Sequence, residues 1–281
     1  MKKSVSMFLV VVLLALNGPM TAMAAWTNLS SRSINDPLGE DSGIYFSRSV
    51  DLDGNRVAAG AYYGGMAWVY NKHGAEWERE RIETSTTGDT TCVGGVQGTC
   101  MRSPGTPVAY QYGWSVSISG DDMIVGSPEH RKPGEPWPYY FGGVFVWEYK
   151  LNPSTSEFEW KAKRVGNQNT TQDPFMLPGG AAWDLFGYSV SVDGTNFIAS
   201  APQADVDGFA DAGSVAFYSK STGAWVEGTI KKNPDAATSD IFGYSVSLDG
   251  NYAIVGVPLD DDNGETNSGS ALESAIPIIG M

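Results

Sequence analysis

Carboxylates gathered around glycines are the side chains of this sequence best suited to chemistry. Asp205, Asp207 and Asp211 lie in ADVDGFADAG, and Asp260, Asp261, Asp262, Asn263 and Glu265 lie in LDDDNGET. Alternate acidic residues on a chain turned by glycine can bring oxygens to the roughly 2.3–2.6 Å that calcium requires. Asp205, Asp207, Asp211, Asp260, Asp262 and Glu265 are therefore candidate Ca2+ ligands. Neither loop ends in a bidentate glutamate of the kind that completes a regular calcium loop, and Asp and Gly also form turns through local backbone hydrogen bonds with no ion involved. Both readings stand at this stage.

Aromatic residues in loops are the second group. Trp137, Tyr139 and Tyr140 in EPWPYYFGG, together with Trp183, are candidate ligand-binding residues, and Tyr62 and Tyr63 share their loop setting. Loops carry binding residues more often than core elements do, although aromatics flanked by proline also pin long loops. Cys92 and Cys100 enclose the glycine-rich segment TCVGGVQGTC, and a disulfide between them is expected if the compartment is oxidising. A metal pair is the weaker alternative, with no histidine or third cysteine near in sequence.

Signals for catalysis are sparse. His73 and His130 sit in the turn-like contexts NKHGAE and PEHRKP, and no nucleophile elbow, metalloprotease spacing or phosphate loop appears. The expectation leans away from an enzyme. A hydrolase or lyase acting on glycosidic bonds through two loop carboxylates is the alternative, because such chemistry needs only a well-spaced carboxyl pair.

Charge and the N-terminus bound the setting. The formal net charge of −14 makes nucleic acid and anionic lipid poor partners. Lys2 and Lys3, the apolar run from Val5 to Leu16 and the small residues Ala22-Met23-Ala24 read as a signal peptide over residues 1–24, so secretion to a periplasmic or extracellular site is expected. No later stretch has the roughly 20 apolar residues of a membrane helix.

The elements that must carry these residues repeat. FSRSVDLDGNRVAAGA from Phe46, YGWSVSISGDDMIVGSP from Tyr112, FGYSVSVDGTNFIASAP from Phe186 and FGYSVSLDGNYAIVGVP from Phe242 each read as strand, tight turn at Asp-Gly or Ser-Gly, and strand. A third strand follows in GGMAWVYNK, GGVFVWEYK, AGSVAFYSK and, degraded by Glu273, SGSALESAI. A fourth is marked by Trp77, Trp160 and Trp225, and its pattern occurs once more around Trp26. These tryptophans, with Phe46, Tyr112, Phe186 and Phe242, are expected to pack between repeats. Four-stranded repeats of this kind predict an all-β fold, a β-propeller of antiparallel blades. Repeats near 44–83, 110–165, 184–232 and 240–276, plus residues 26–34, fill one domain over 25–281. Four blades are expected, closed by pairing of the N-terminal strand with the last blade.

The FG at Phe186-Gly187 and Phe242-Gly243, followed by Ser200-Ala201-Pro202 and Gly256-Val257-Pro258, resembles the FG-GAP repeats of bacterial exported proteins, which are related to the integrin α-subunit propeller. The first copy departs, with Ser47 in place of the glycine. The resemblance implies an adhesion or ligand-binding role and often calcium. In integrin-type repeats that ion sits between the first and second strands, where this chain has only tight turns, so that site does not carry over. The expected function is a non-catalytic interaction module binding a surface protein or a glycan through its loops. A truncated piece of a longer propeller is the remaining alternative.

Overall fold

A computed structural model describes residues 45–74, 76–80, 101–102, 111–131, 138–163, 174–261 and 265–275. The chain divides into two compact units, Met1–Asn35 and Asp36–Met281, and every described residue belongs to the second. Strand Trp26 to Ile34, expected to complete the last blade, lies outside the described residues, as do Cys92 and Cys100.

Each repeat folds into one antiparallel sheet. The first blade comprises β1 (Ser49–Asp53), β2 (Arg56–Ala61), β3 (Met66–His73), β4 (Glu76–Arg79) and β5 (Met101–Arg102). The second holds β6 (Ser115–Ser119), β7 (Asp122–Ser127), β8 (Gly143–Asn152) and β9 (Glu157–Ala162). The third holds β10 (Val190–Asp193), β11 (Asn196–Ala201), β12 (Ser214–Ser221) and β13 (Ala224–Lys232). The fourth holds β14 (Ser245–Asp249), β15 (Tyr252–Val257) and β16 (Ser270–Ala275) among the described residues. Strands pair in sequence order within each blade, and the whole is a four-bladed all-β propeller. Among the described residues no helix is long and apolar enough to cross a membrane.

Two local features differ from the sequence pattern. The tight turn is Gly54-Asn55 rather than Asp53-Gly54, because Asp53 still pairs with Arg56 as the last residue of β1 and the glycine takes the positive φ of 56°. The fourth strand of blade 1 is split: β4 covers the Tyr70–His73 end of β3, while β5 covers Met66 and Ala67. Blade 2 repeats the device, with Phe175 bridging to Val144 beyond β9. Long insertions at this one place account for the wide spacing of the first two repeats, and the buried Met101 and Phe175 return the chain to the sheet.

The blades stack face to face, with first strands β1, β6, β10 and β14 in successive contact. Ala58, Ala67 and Val69 meet Val116 and Ile118 in the first junction. Ile124, Val144 and Val146 meet Val190 and Val192 in the second. Ile198, Val215 and Phe217 meet Leu248 in the third. Tyr112, Phe186, Phe242, Trp160 and Trp225 are buried in these junctions, as expected, whereas Trp77 is only half-buried.

Polar side chains make the junctions specific. The N–H groups of Val116, Ile118 and Gly120 donate to Ser49 Oγ (2.7 Å), Asp51 Oδ2 (2.8 Å) and Asp53 Oδ2 (2.5 Å) of the preceding blade. Val192 and Gly194 donate to Ser117 and Ser119, both at 3.0 Å. Val246, Leu248 and Gly250 donate to Ser189 (3.1 Å), Ser191 (3.0 Å) and Asp193 (2.6 Å). The Ser-Val-Ser-x-Asp signature thus places an acceptor at every second position, matching the free amide edge of the next blade's first strand, which would otherwise be left unpaired.

Candidate functional site

Because the first strand of every blade leaves for the tight turn and the second returns, all approaches to the first strands lie at one end of the propeller. The connections between second and third strands lie at that same end. Among the described residues, this end gathers Tyr62, Tyr63, Tyr139, Tyr140 and Trp183 with Asp205, Asp207, Asp211, Asp260 and Glu265.

The residue following the FG glycine leads into the first strand in three blades, Trp114, Tyr188 and Tyr244, and Arg48, after Ser47, takes that place in the first. That glycine is confined. Gly113 has φ 83°, and a Cβ there would lie 2.3 Å from the carbonyl oxygen of Met66 in the preceding blade. Only glycine allows so close an approach with that backbone, so the following side chain is held on a fixed support.

The four side chains form a row. The Arg48 guanidinium lies over the Trp114 ring, 4.4 Å from its centroid. Trp114 and Tyr188 have centroids 5.3 Å apart at 47°, and Tyr188 and Tyr244 are 5.3 Å apart at 45°. Tyr62, from the β2–β3 connection, meets Trp114 edge-on at 5.1 Å, and Tyr45 stacks on Tyr62 at 5.5 Å with Tyr63 against both. Tyr63 and Tyr244 are exposed, and Trp114 and Tyr188 half-buried, so an apolar strip with polar edges faces solvent. Burial raises the Tyr188 phenol to about 12, with the Tyr244 hydroxyl adding to the effect and Arg48 opposing it. The Tyr188 hydroxyl therefore stays neutral and able to donate at ordinary pH.

Sequence reasoning picked out part of this end. It brought forward Tyr62 and Tyr63 but missed Arg48, Trp114, Tyr188 and Tyr244. The signal was available: the third position of FGxSVS is Arg, Trp or Tyr in every copy. Of the other loop aromatics, Tyr140 and Trp183 come together edge-on at 5.2 Å, the Trp183 backbone N–H donating to the Tyr140 carbonyl, and Tyr139 is exposed. Trp137 lies outside the described residues. His73 is exposed in its turn, whereas His130 is buried with its ring edge-on to Phe145 at 5.3 Å, a packed residue rather than a surface one.

The carboxylates mostly hold their own loops. Asp205 Oδ1 accepts from the Asp211 N–H at 3.1 Å, and Asp261 Oδ1 from the Asn267 N–H at 2.7 Å, the equivalent bond one blade on. Asp207 pairs with Lys232. Asp260 is buried and accepts from Asn233 Nδ2 at 3.3 Å and from the Ser270 hydroxyl. Glu265 is exposed, and Asp262 lies outside the described residues. No group of three or more His, Cys, Asp or Glu among the described residues is arranged to hold a metal. The most perturbed carboxyl is Asp184, which accepts the Ala181 N–H at 2.7 Å. Desolvation raises it to about 6, with the charges of Asp205 and Asp211 adding to the rise.

A family model described as FG-GAP repeat matches residues 232–272. That stretch contains the whole strand-turn-strand signature of blade 4, which the other three blades reproduce in sequence and in pairing. The chain is an FG-GAP repeat protein. No curated protein matches it. In this FG-GAP protein the FG glycine packs against the preceding blade, and the polar residues after it bind the following blade. The position between them supplies the row of rings.

Proposed function

We propose that this FG-GAP repeat protein is an exported, non-catalytic interaction module that holds a neutral glycan on the row formed by Trp114, Tyr188 and Tyr244. The row itself carries this reading. Each ring offers a flat apolar face and a polar edge, the combination that suits the apolar faces and hydroxyls of a sugar. Its backbone is fixed by the junction glycines, so little ordering is required on binding. The net charge of −14 favours neutral over anionic glycans. Export rests on the basic and apolar N-terminal residues together with the small-residue cleavage pattern.

Calorimetric titration with neutral oligosaccharides, guided by a glycan array, tests this. Trp114→Ala and Tyr188→Ala should each weaken binding about tenfold or more with the fold retained. Binding that is indifferent to both substitutions would overturn the assignment. One observation favours a hydrolase as the second reading: the Asp184 carboxyl, raised to about 6, lies at the same end as the rings. Turnover of a bound polysaccharide that disappears in Asp184→Asn would replace the module by the enzyme.

A further inference from the structure

The outward face of the fourth blade carries a junction surface with nothing packed on it among the described residues. Ala58, Ile124 and Ile198 occupy one repeat position, each 0 % exposed beneath the next blade, whereas Ile254 at that position is 55 % exposed. Ser245, Ser247 and Asp249 stand in the register by which Ser189, Ser191 and Asp193 accept three amide bonds, and all three are exposed.

The complementary surface is bare at the opposite end of the array. Val116 and Ile118 are 5 % and 3 % exposed in the first junction, but their equivalents in β1, Val50 and Leu52, are 61 % and 62 % exposed. Glycine placement matches as well. A Cβ on Gly126 would lie 2.0 Å from the Gly187 carbonyl oxygen across the second junction. In the third, Ser200 faces Gly243, so the glycine sits on the other side. Gly256 of blade 4 meets only Ser245 of its own blade, and the residue it would face, two before β1, is Ser47, in the one copy lacking the FG glycine. Serine against glycine recurs there with the roles exchanged.

We propose that the free face of the fourth blade binds the first blade of a second copy of this chain, head to tail. The amides of Val50 and Gly54 would donate to Ser245 and Asp249, and that of Leu52, which in the single chain donates to Asp51 Oδ1 at 2.8 Å, would turn to Ser247, while Ile254 covers Val50 and Leu52. If both such contacts form at once between two copies, a twofold axis relates them and the association closes at a dimer. Glu273 stands where Val69, Val146 and Phe217 are buried, so this contact desolvates a carboxylate and is weaker than the three internal junctions. The association is accordingly reversible and concentration-dependent.

Sedimentation velocity over a concentration series decides the matter. The wild-type chain should shift from monomer to dimer. Ile254→Arg and Leu52→Asp, both on exposed side chains, should each lose the dimer while melting as the wild type does. Mixed in equal amounts, the two variants should recover a heterodimer, since one keeps an intact β1 face and the other an intact blade 4 face. A wild-type chain that stays monomeric up to roughly 1 mM overturns the proposal. So does a monomer in which Leu52→Asp lowers the melting temperature as a buried change would, because the two ends then close within one chain. Association that survives either substitution also overturns it.

Discussion

At Asp184 the carboxyl group is taken from water and set near Asp205 and Asp211, and its folded value rises from 3.8 to about 6. A raised carboxyl binds a proton in the folded chain that the unfolded chain has released, so its contribution to stability falls as pH rises from about 4 to about 6. Asp184→Asn keeps an oxygen for the Ala181 N–H and removes the charge. It should raise the melting temperature at pH 7 and flatten that part of the pH profile, as thermal melts at pH 4.5 and pH 7 would show. Glu148 has the opposite sign. Burial pushes it up, but the ammonium groups of Lys150, Lys163 and Lys220 together outweigh this and lower it. Its contribution is present above the ordinary glutamate range and is lost as pH falls through the lowered value. Lys220 joins the second and third blades through Asp122 at 2.7 Å and Glu148 at 3.1 Å. Lys220→Met leaves the buried Asp122 without its ion-pair partner, while Glu148 keeps Lys150 and Lys163, and should cost about 3 kcal/mol in denaturant unfolding.

Among the elements, the first strand of each blade does two jobs, and its alternation separates them. One set of residues, such as Val190 and Val192, packs against the blade before. The other, such as Ser189 and Ser191, accepts amides from the blade after. Ser191→Ala leaves the Leu248 N–H without its acceptor and should lower stability by about 1 kcal/mol. Ser247→Ala, the same substitution one blade on, should leave the dilute protein unchanged, because Ser247 is exposed. Gly126→Ala should destabilise by about 1–3 kcal/mol or more, since the new methyl would meet backbone rather than a movable side chain. Chemical denaturation of the three variants side by side checks all of these. The repeats were legible as strands because glycine, alternation and aromatic anchors are local signals. The amide ladder was not, because an acceptor at every second position looks like ordinary strand polarity until a neighbouring blade is placed beside it.

For the molecule as a whole, the acidic connections at the aromatic end serve the fold before any ion. Asp205, Asp207 and Asp260 already hold a backbone N–H, a lysine and an Asn-Ser pair respectively. Adding calcium to chelator-treated protein should therefore leave the melting temperature unchanged. A rise that follows calcium concentration and disappears in Asp205→Ala would establish a bound ion.

The order of strands, the number of repeats and the all-β class could be read from the chain, because each depends on patterns spanning fewer than about ten residues. Phe186-Gly187 and the Ser-Val-Ser after it announce a blade wherever they occur. What the blades do to one another depended on tertiary structure. Trp114, Tyr188 and Tyr244 are far apart in sequence and become one surface only when three first strands lie side by side. Ile254 and Ile198 are the same residue in the same motif, and only packing decides that one is core and the other a bare face. Asp184 and Asp205 likewise belong to separate loops, and burial of Asp184, with Asp205 and Asp211 brought near it, raises a carboxyl whose type and neighbours in sequence carry no hint of it.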